Sequence, residues 1–121
     1  MTYDPITEVE DEALIVDDAV IADLVAFRSA PKLEELPGLG AEPERELLSD
    51  ILNALVDKLI VGVGENPSKR WVLTQIQSSL RLVEDEDTEA RDHFGMEIEE
   101  IMDILGIESS DGLLSYYLGG I

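Results

Sequence analysis

Glu89, His93 and Glu97 stand four residues apart, so a helix would set them in one stripe on its surface. Carboxylate, imidazole and carboxylate in a stripe can ligate a divalent cation if a second helix adds ligands. The same stripe reads equally as a solvated acidic face with one histidine. That reading needs no ion and is preferred, so no metal and no cofactor is expected. The run from Glu84 to Glu89, EDEDTE, has the composition of a calcium loop but not its order. With Asp85 first, the sixth position is Ala90, where a tight turn requires Gly, and the twelfth is Met96, where Glu belongs. An EF-hand is excluded.

His93 is the only histidine and cysteine is absent, so any triad must use His93. No Gly-x-Ser-x-Gly elbow, His-Glu-x-x-His pair or phosphate loop occurs. Ser109-Ser110-Asp111-Gly112 reads as a helix cap rather than a nucleophile, because Ser and Asp satisfy free N–H groups at helix starts. Carboxylates abound, but an acid–base pair needs two environments that push the pKa values apart. The residues therefore point away from an enzyme and assign no catalytic residue.

Charge carries more information. Twenty-eight Asp and Glu against eight Lys and Arg leave a net −20 on 121 residues. Nucleic acid and anionic membrane surfaces repel such a chain. A basic protein is attracted and steered in. Between residues 84 and 103 ten acids face a single arginine, Arg91. The candidate partner-binding residues are Glu84, Asp85, Glu86, Asp87, Glu89, Asp92 and Glu99.

The elements that must position this cluster are helical. Residues 1–16 read as an acidic N-terminal arm, docked in part through Leu14, Ile15 and Val16, and 17–121 as one helical domain. Asp17 or Asp18 caps a first helix to about residue 30, with Val20, Ile21, Leu24, Val25 and Phe27 inward. Pro31 stops it, and PKLEELPGLGAEP (31–43) is a Pro/Gly connector. Pro43 suits the first turn of a second helix carrying the stripe Leu47, Leu48, Ile51, Leu52, Leu55, Leu59 and Ile60. Gly62 and Gly64 end it.

Asn66 and Pro67 read as the cap and first residue of a third helix over about 67–84. Trp71, Val72, Ile76, Leu80 and Val83 face its core side, and Arg81 pairs with Asp85. Asp87 or Thr88 caps a fourth helix over about 88–105, with Phe94, Ile98, Ile101, Met102 and Leu105 on one face and Gly106 at its end. Ser109 or Ser110 caps a short fifth, about 110–118, closed by Gly119 and Gly120. One of Tyr116 and Tyr117 faces the core and the other is free for a partner. No segment alternates with period two, so the fold class is all-α, a compact single-domain bundle of four to five helices. The absence of cysteine, of a basic leader and of long apolar runs suits a cytoplasmic protein.

The fragments NPSKRWVLTQI (66–76) and DTEARDHFGMEIEEIMDILGIESSDGLL (87–114) resemble a family of short bacterial proteins catalogued as a domain of unknown function. The resemblance covers roughly residues 36–118 and implies no activity, cofactor or catalytic residue. Proteins of this size and type often serve as immunity partners of secreted toxins. The expected function is protein binding, most specifically an acidic immunity protein that occludes the active site of a cognate bacterial toxin. The alternative is a helical adaptor or chaperone-like protein acting as a homodimer through an exposed apolar helix face. Two further readings are acidity as an adaptation to salt, and an enzyme built on a pocket gathering His93 with several carboxylates.

Overall fold

The computed structural model describes residues 3–33 and 41–119. They form a 3₁₀ turn, Pro5–Glu8, and the helices α1 (Asp18–Ser29), α2 (Ala41–Gly62), α3 (Lys69–Val83), α4 (Thr88–Leu105) and α5 (Leu113–Leu118). No strand occurs among these residues, and the architecture is an all-α bundle. Part of the expected connector, residues 34–40 with Pro37, Gly38 and Gly40, lies outside the described residues, as does Gly120.

Local chemistry accounts for most helix ends. The Asp17 carboxylate accepts from the Val20 N–H at 3.0 Å, and the Asp87 carboxylate from the Ala90 N–H at 2.9 Å. Gly106 closes α4 at φ 75°, a left-handed conformation that costs glycine nothing, and Ile107 N–H returns to the Met102 carbonyl at 2.9 Å. The start of α3 differs from the sequence expectation. Its cap is Ser68, whose hydroxyl accepts from the Trp71 N–H, and Pro67 precedes the helix. Asn66 instead donates from Nδ2 to the Gly62 carbonyl at 2.9 Å, sealing the end of α2. The N-terminal segment causes this shift. Leu14 N–H donates to the Pro67 carbonyl and Lys69 N–H to the Glu12 carbonyl, which hold Ser68 extended ahead of the helix. α5 also begins later than expected, at Leu113, with Ser110 Oγ accepting from the Leu114 N–H at 3.2 Å.

The helices share one core. Leu24 of α1, Leu52 and Leu59 of α2, Leu73, Ile76 and Leu80 of α3, and Phe94, Ile98 and Ile101 of α4 are fully buried. α2 packs against α1 and α3, α4 against α1 and α5, and α3 against α5 and the 3₁₀ turn. Three residues expected inward face solvent: Ile15, Val25 and Leu47. In each case a chain neighbour takes the core-facing place, since residues one apart lie about 100° apart around a helix and point to opposite sides of an extended segment. Leu24 displaces Val25 and Leu48 displaces Leu47, while Leu14 and Val16 dock beside the exposed Ile15. Trp71 is half-buried rather than enclosed.

The acidic arm is held on α3 over residues 3–16. Asp4 accepts from Gln77 Nε2 at 2.6 Å, Asp11 from the Ser68 hydroxyl at 2.7 Å, and the Val9 carbonyl from Arg70 Nη2 at 2.6 Å. Val9, within the arm, is buried in the core. Arg81 pairs with Asp4 at 3.8 Å and donates to the Tyr117 hydroxyl at 3.2 Å. The expected local pair with Asp85 is superseded, because the arm brings Asp4 to the other side of α3. Lys69 is buried and bonds Asp111 Oδ2 at 2.9 Å, with Glu12 at 3.6 Å.

These bonds set a pH window. The Gln77 amide and the Ile6 N–H lower the Asp4 pKa, the Arg70 N–H and Ser68 hydroxyl lower that of Asp11, and Lys69 and the Glu10 N–H lower that of Asp111. A carboxylate with a depressed folded pKa adds stability above its unfolded pKa, and loses it as pH falls through the folded value. Burial pulls the Lys69 ammonium down, but Asp111 and Glu12 reverse this and leave it raised, so its contribution is lost only as pH rises through its folded value. The arm should therefore stay docked at neutral pH and release on acidification through the carboxylate range. NMR amide shifts of Ile6, Glu10 and Arg70 would follow this release. Within the core, Phe94→Ala should cost about 3–5 kcal/mol by denaturant unfolding.

Candidate functional site

The seven acids singled out from sequence lie along the α3–α4 turn and α4. Glu84, Asp85, Glu86 and Asp87 form the turn, and all but the half-buried Glu86 are exposed. Glu89, Asp92 and Glu99 are exposed on α4. At about 100° per residue they fall on one outward half of the helix, around Met96, which is 60% exposed. The structure therefore brings the cluster to one side of the molecule but spreads it along the length of α4.

Asp92 and Glu99 stand on the rim of a groove of about 440 Å³ between α4 and α5. Met96, Leu114 and Leu118 contribute its apolar lining. Arg91 also reaches this groove, yet it neutralises none of the acids. It makes no ion pair among the described residues, its Nη2 meets Thr88 Oγ1 at 3.5 Å, and its buried Nε has no acceptor. Within 84–103 the charged-group contacts among the described residues reduce to Glu89 with the His93 imidazole at 3.6 Å, an ion pair only when that ring carries a proton.

Glu44 joins the acidic turn from the first turns of α2. Burial raises its pKa, and the neighbouring Asp87 and Glu86 carboxylates raise it further. No local spacing could have signalled this residue, because it lies 40 positions or more upstream of the turn.

The other flank of α4 carries the stripe considered for a metal. Glu89 and His93 meet, whereas Glu97 lies in a separate groove between α1 and α4 with Asp23, Lys32 and Glu100. Burial raises the Glu97 pKa, followed by Glu100, against the opposing pull of Lys32 and His93. Lys32 is committed to structure. Its Nζ donates to the Arg28 and Ala30 carbonyls at 3.0 and 2.7 Å, capping the end of α1, and sits 4.9 Å from the Phe27 ring centre. Among the described residues no three His, Asp or Glu groups converge as metal ligands. The two tyrosines divide as expected: Tyr117 is buried and Tyr116 is 54% exposed. Tyr116 is not bare, however, since its ring packs at 5.6 Å from that of Tyr3.

The fold and this surface define a class: a helical bundle with an uncompensated acidic face and an apolar groove beside it. Residues 15–121 match the family described as Domain of unknown function (DUF4844), and the chain belongs to that family. The match begins ahead of the 36–118 stretch in which the sequence resemblance was seen, and takes in α1. No curated protein and no solved structure matches the chain. No helix among the described residues is long and apolar enough to cross a membrane.

Glu44→Gln should raise the melting temperature at neutral pH by removing repulsion from Glu86 and Asp87. The sign follows from the raised pKa: such a carboxyl favours the fold while protonated and costs stability once pH rises through its folded value. The gain should disappear below pH ~4, where the wild-type carboxyl is protonated, and in high salt. Thermal unfolding at the two pH values and two salt concentrations checks it.

Proposed function

We propose that this chain is a protein-binding module whose acidic face captures a basic protein. In its most specific form it is an immunity protein that occludes the active site of a cognate bacterial toxin. The observation that carries this reading is the outward side of α4 and its preceding turn, where Glu84, Asp85, Glu86, Asp87, Glu89, Asp92 and Glu99 stand near one arginine, Arg91, that makes no ion pair among the described residues. Such a face costs stability through self-repulsion unless an opposite charge covers it. The groove between α4 and α5 supplies what charge alone lacks, an apolar lining beneath Asp92 and Glu99 that a partner side chain can fill. Toxins that act on nucleic acids or nucleotides carry positive clefts, and an acidic surface reaches such clefts fast.

The test is affinity capture from the native host, eluted at low and then high salt, followed by kinetics with the captured protein. A basic, stoichiometric partner should associate at least ~10-fold more slowly with a Glu84→Gln/Asp85→Asn/Glu86→Gln/Asp92→Asn variant, and its salt dependence should flatten. Inhibition of the partner's enzymatic activity on binding would support the immunity form. Unchanged association with the variant would remove the acidic face from the function.

A further inference from the structure

The outward stripe of α2 is unlike the rest of this acidic surface. Leu47, Asp50, Ala54, Lys58 and Val61 are all exposed, and at about 100° per residue they lie within roughly 40° of Ala54 around the helix. Leu47 is 53% exposed and Val61 84%. α3 runs alongside and extends the apolar surface at both ends. Leu82, 68% exposed, lines one shallow groove with Leu47, and the half-buried Trp71 lines another with Val61. The indole lies so close over α2 that a Cβ at Gly62 would come within 2.7 Å of it.

The stripe is symmetric about Ala54. Leu47 and Val61 stand seven residues to either side, and Asp50 and Lys58 stand four to either side. If two copies of α2 are laid antiparallel with Ala54 on the dyad, Leu47 of each faces Val61 of the other, and Asp50 of each faces Lys58 of the other. Apolar meets apolar, acid meets base, and the small residue lies at the closest approach. Two-fold association requires self-complementarity of this kind. Within one chain Asp50 and Lys58 are roughly 12 Å apart along the helix, too far to pair. Lys58 has no ion pair among the described residues, and Asp50 acts only at a distance, on Arg28.

Charge also favours this face. Two copies of net charge −20 repel wherever their acidic surfaces approach. On the α2 stripe Asp50 is balanced by Lys58, and the neighbouring Asp57 is already paired with Arg28 at 3.0 Å. α3 adds no acid to this face.

We infer that the α2–α3 face binds a second copy of this chain, through antiparallel pairing of α2 about Ala54. The interface lies apart from the acidic face of α4 and does not depend on the function proposed for it. Sedimentation velocity over a concentration series, at low and at near-molar salt, tests it. A monomer–dimer equilibrium that tightens with salt is expected, because screening removes net repulsion and leaves apolar contact. Val61→Glu should weaken the dimer about tenfold or more, since it removes both symmetry-related Val61–Leu47 contacts. Asp50→Lys and Lys58→Asp should each weaken it, whereas the Asp50→Lys chain mixed with the Lys58→Asp chain should form a mixed dimer. All of these positions are exposed, and circular dichroism verifies that each variant folds. A monomer at every concentration and salt overturns the inference. So does a dimer indifferent to Val61→Glu, or a mixture of the two charge variants that pairs no better than either alone.

Discussion

α3 holds three cations and no acid in a chain of net charge −20, and the acidic segments are arranged around it. The arm reaches it through Asp4 and Asp11, and the start of α5 through Asp111. Lys69 is the centre of this arrangement. Its ammonium is buried, a position that only direct carboxylate partners make tolerable. Asp111 supplies the short contact and also accepts the Glu10 N–H at 2.9 Å, so one carboxylate ties α3, α5 and the arm together. Asp111 adopts φ 54°, an uncommon conformation for a residue with a side chain, and the bonds to Lys69 and Glu10 hold it there.

Concentrating the counter-charge on α3 has a consequence for the opposite side of the molecule. With Lys69, Arg70 and Arg81 engaged by the arm and by α5, little basic charge remains for α4. Its outward face is left acidic, and Glu44 adds to it from α2. The uneven surface is thus a product of the same pairing that holds the arm. It supplies the field on which the proposed capture of a basic protein rests, while the exposed stripe of α2 carries one acid and one base, Asp50 and Lys58, between Leu47 and Val61.

The helices and their ends were largely readable from residue spacing. Asp17, Asp87 and Gly106 cap where expected because a cap bonds within three to five residues of itself, a range over which sequence and space coincide. The acidic cluster was readable too, since seven of its members are close in the chain. Glu44 was not, and neither was the groove that puts Asp92 and Glu99 on a rim, because both need α2 or α5 to come alongside α4.

Periodicity specified which residues form helices and, for Leu24, Leu52, Ile76, Phe94 and Ile98, which side is buried. It could not choose between adjacent apolar residues, as with Leu47 and Leu48, because either satisfies the stripe until a neighbouring helix takes one side. Nor could it pair charges. Asp85 stands four residues from Arg81, yet the arginine turns to Asp4 and Tyr117, some 77 and 36 positions away in the chain. Local bonding closes over a few residues and is written in their order. Long-range contacts depend on where packing of the core places each surface, and only the folded chain decides that.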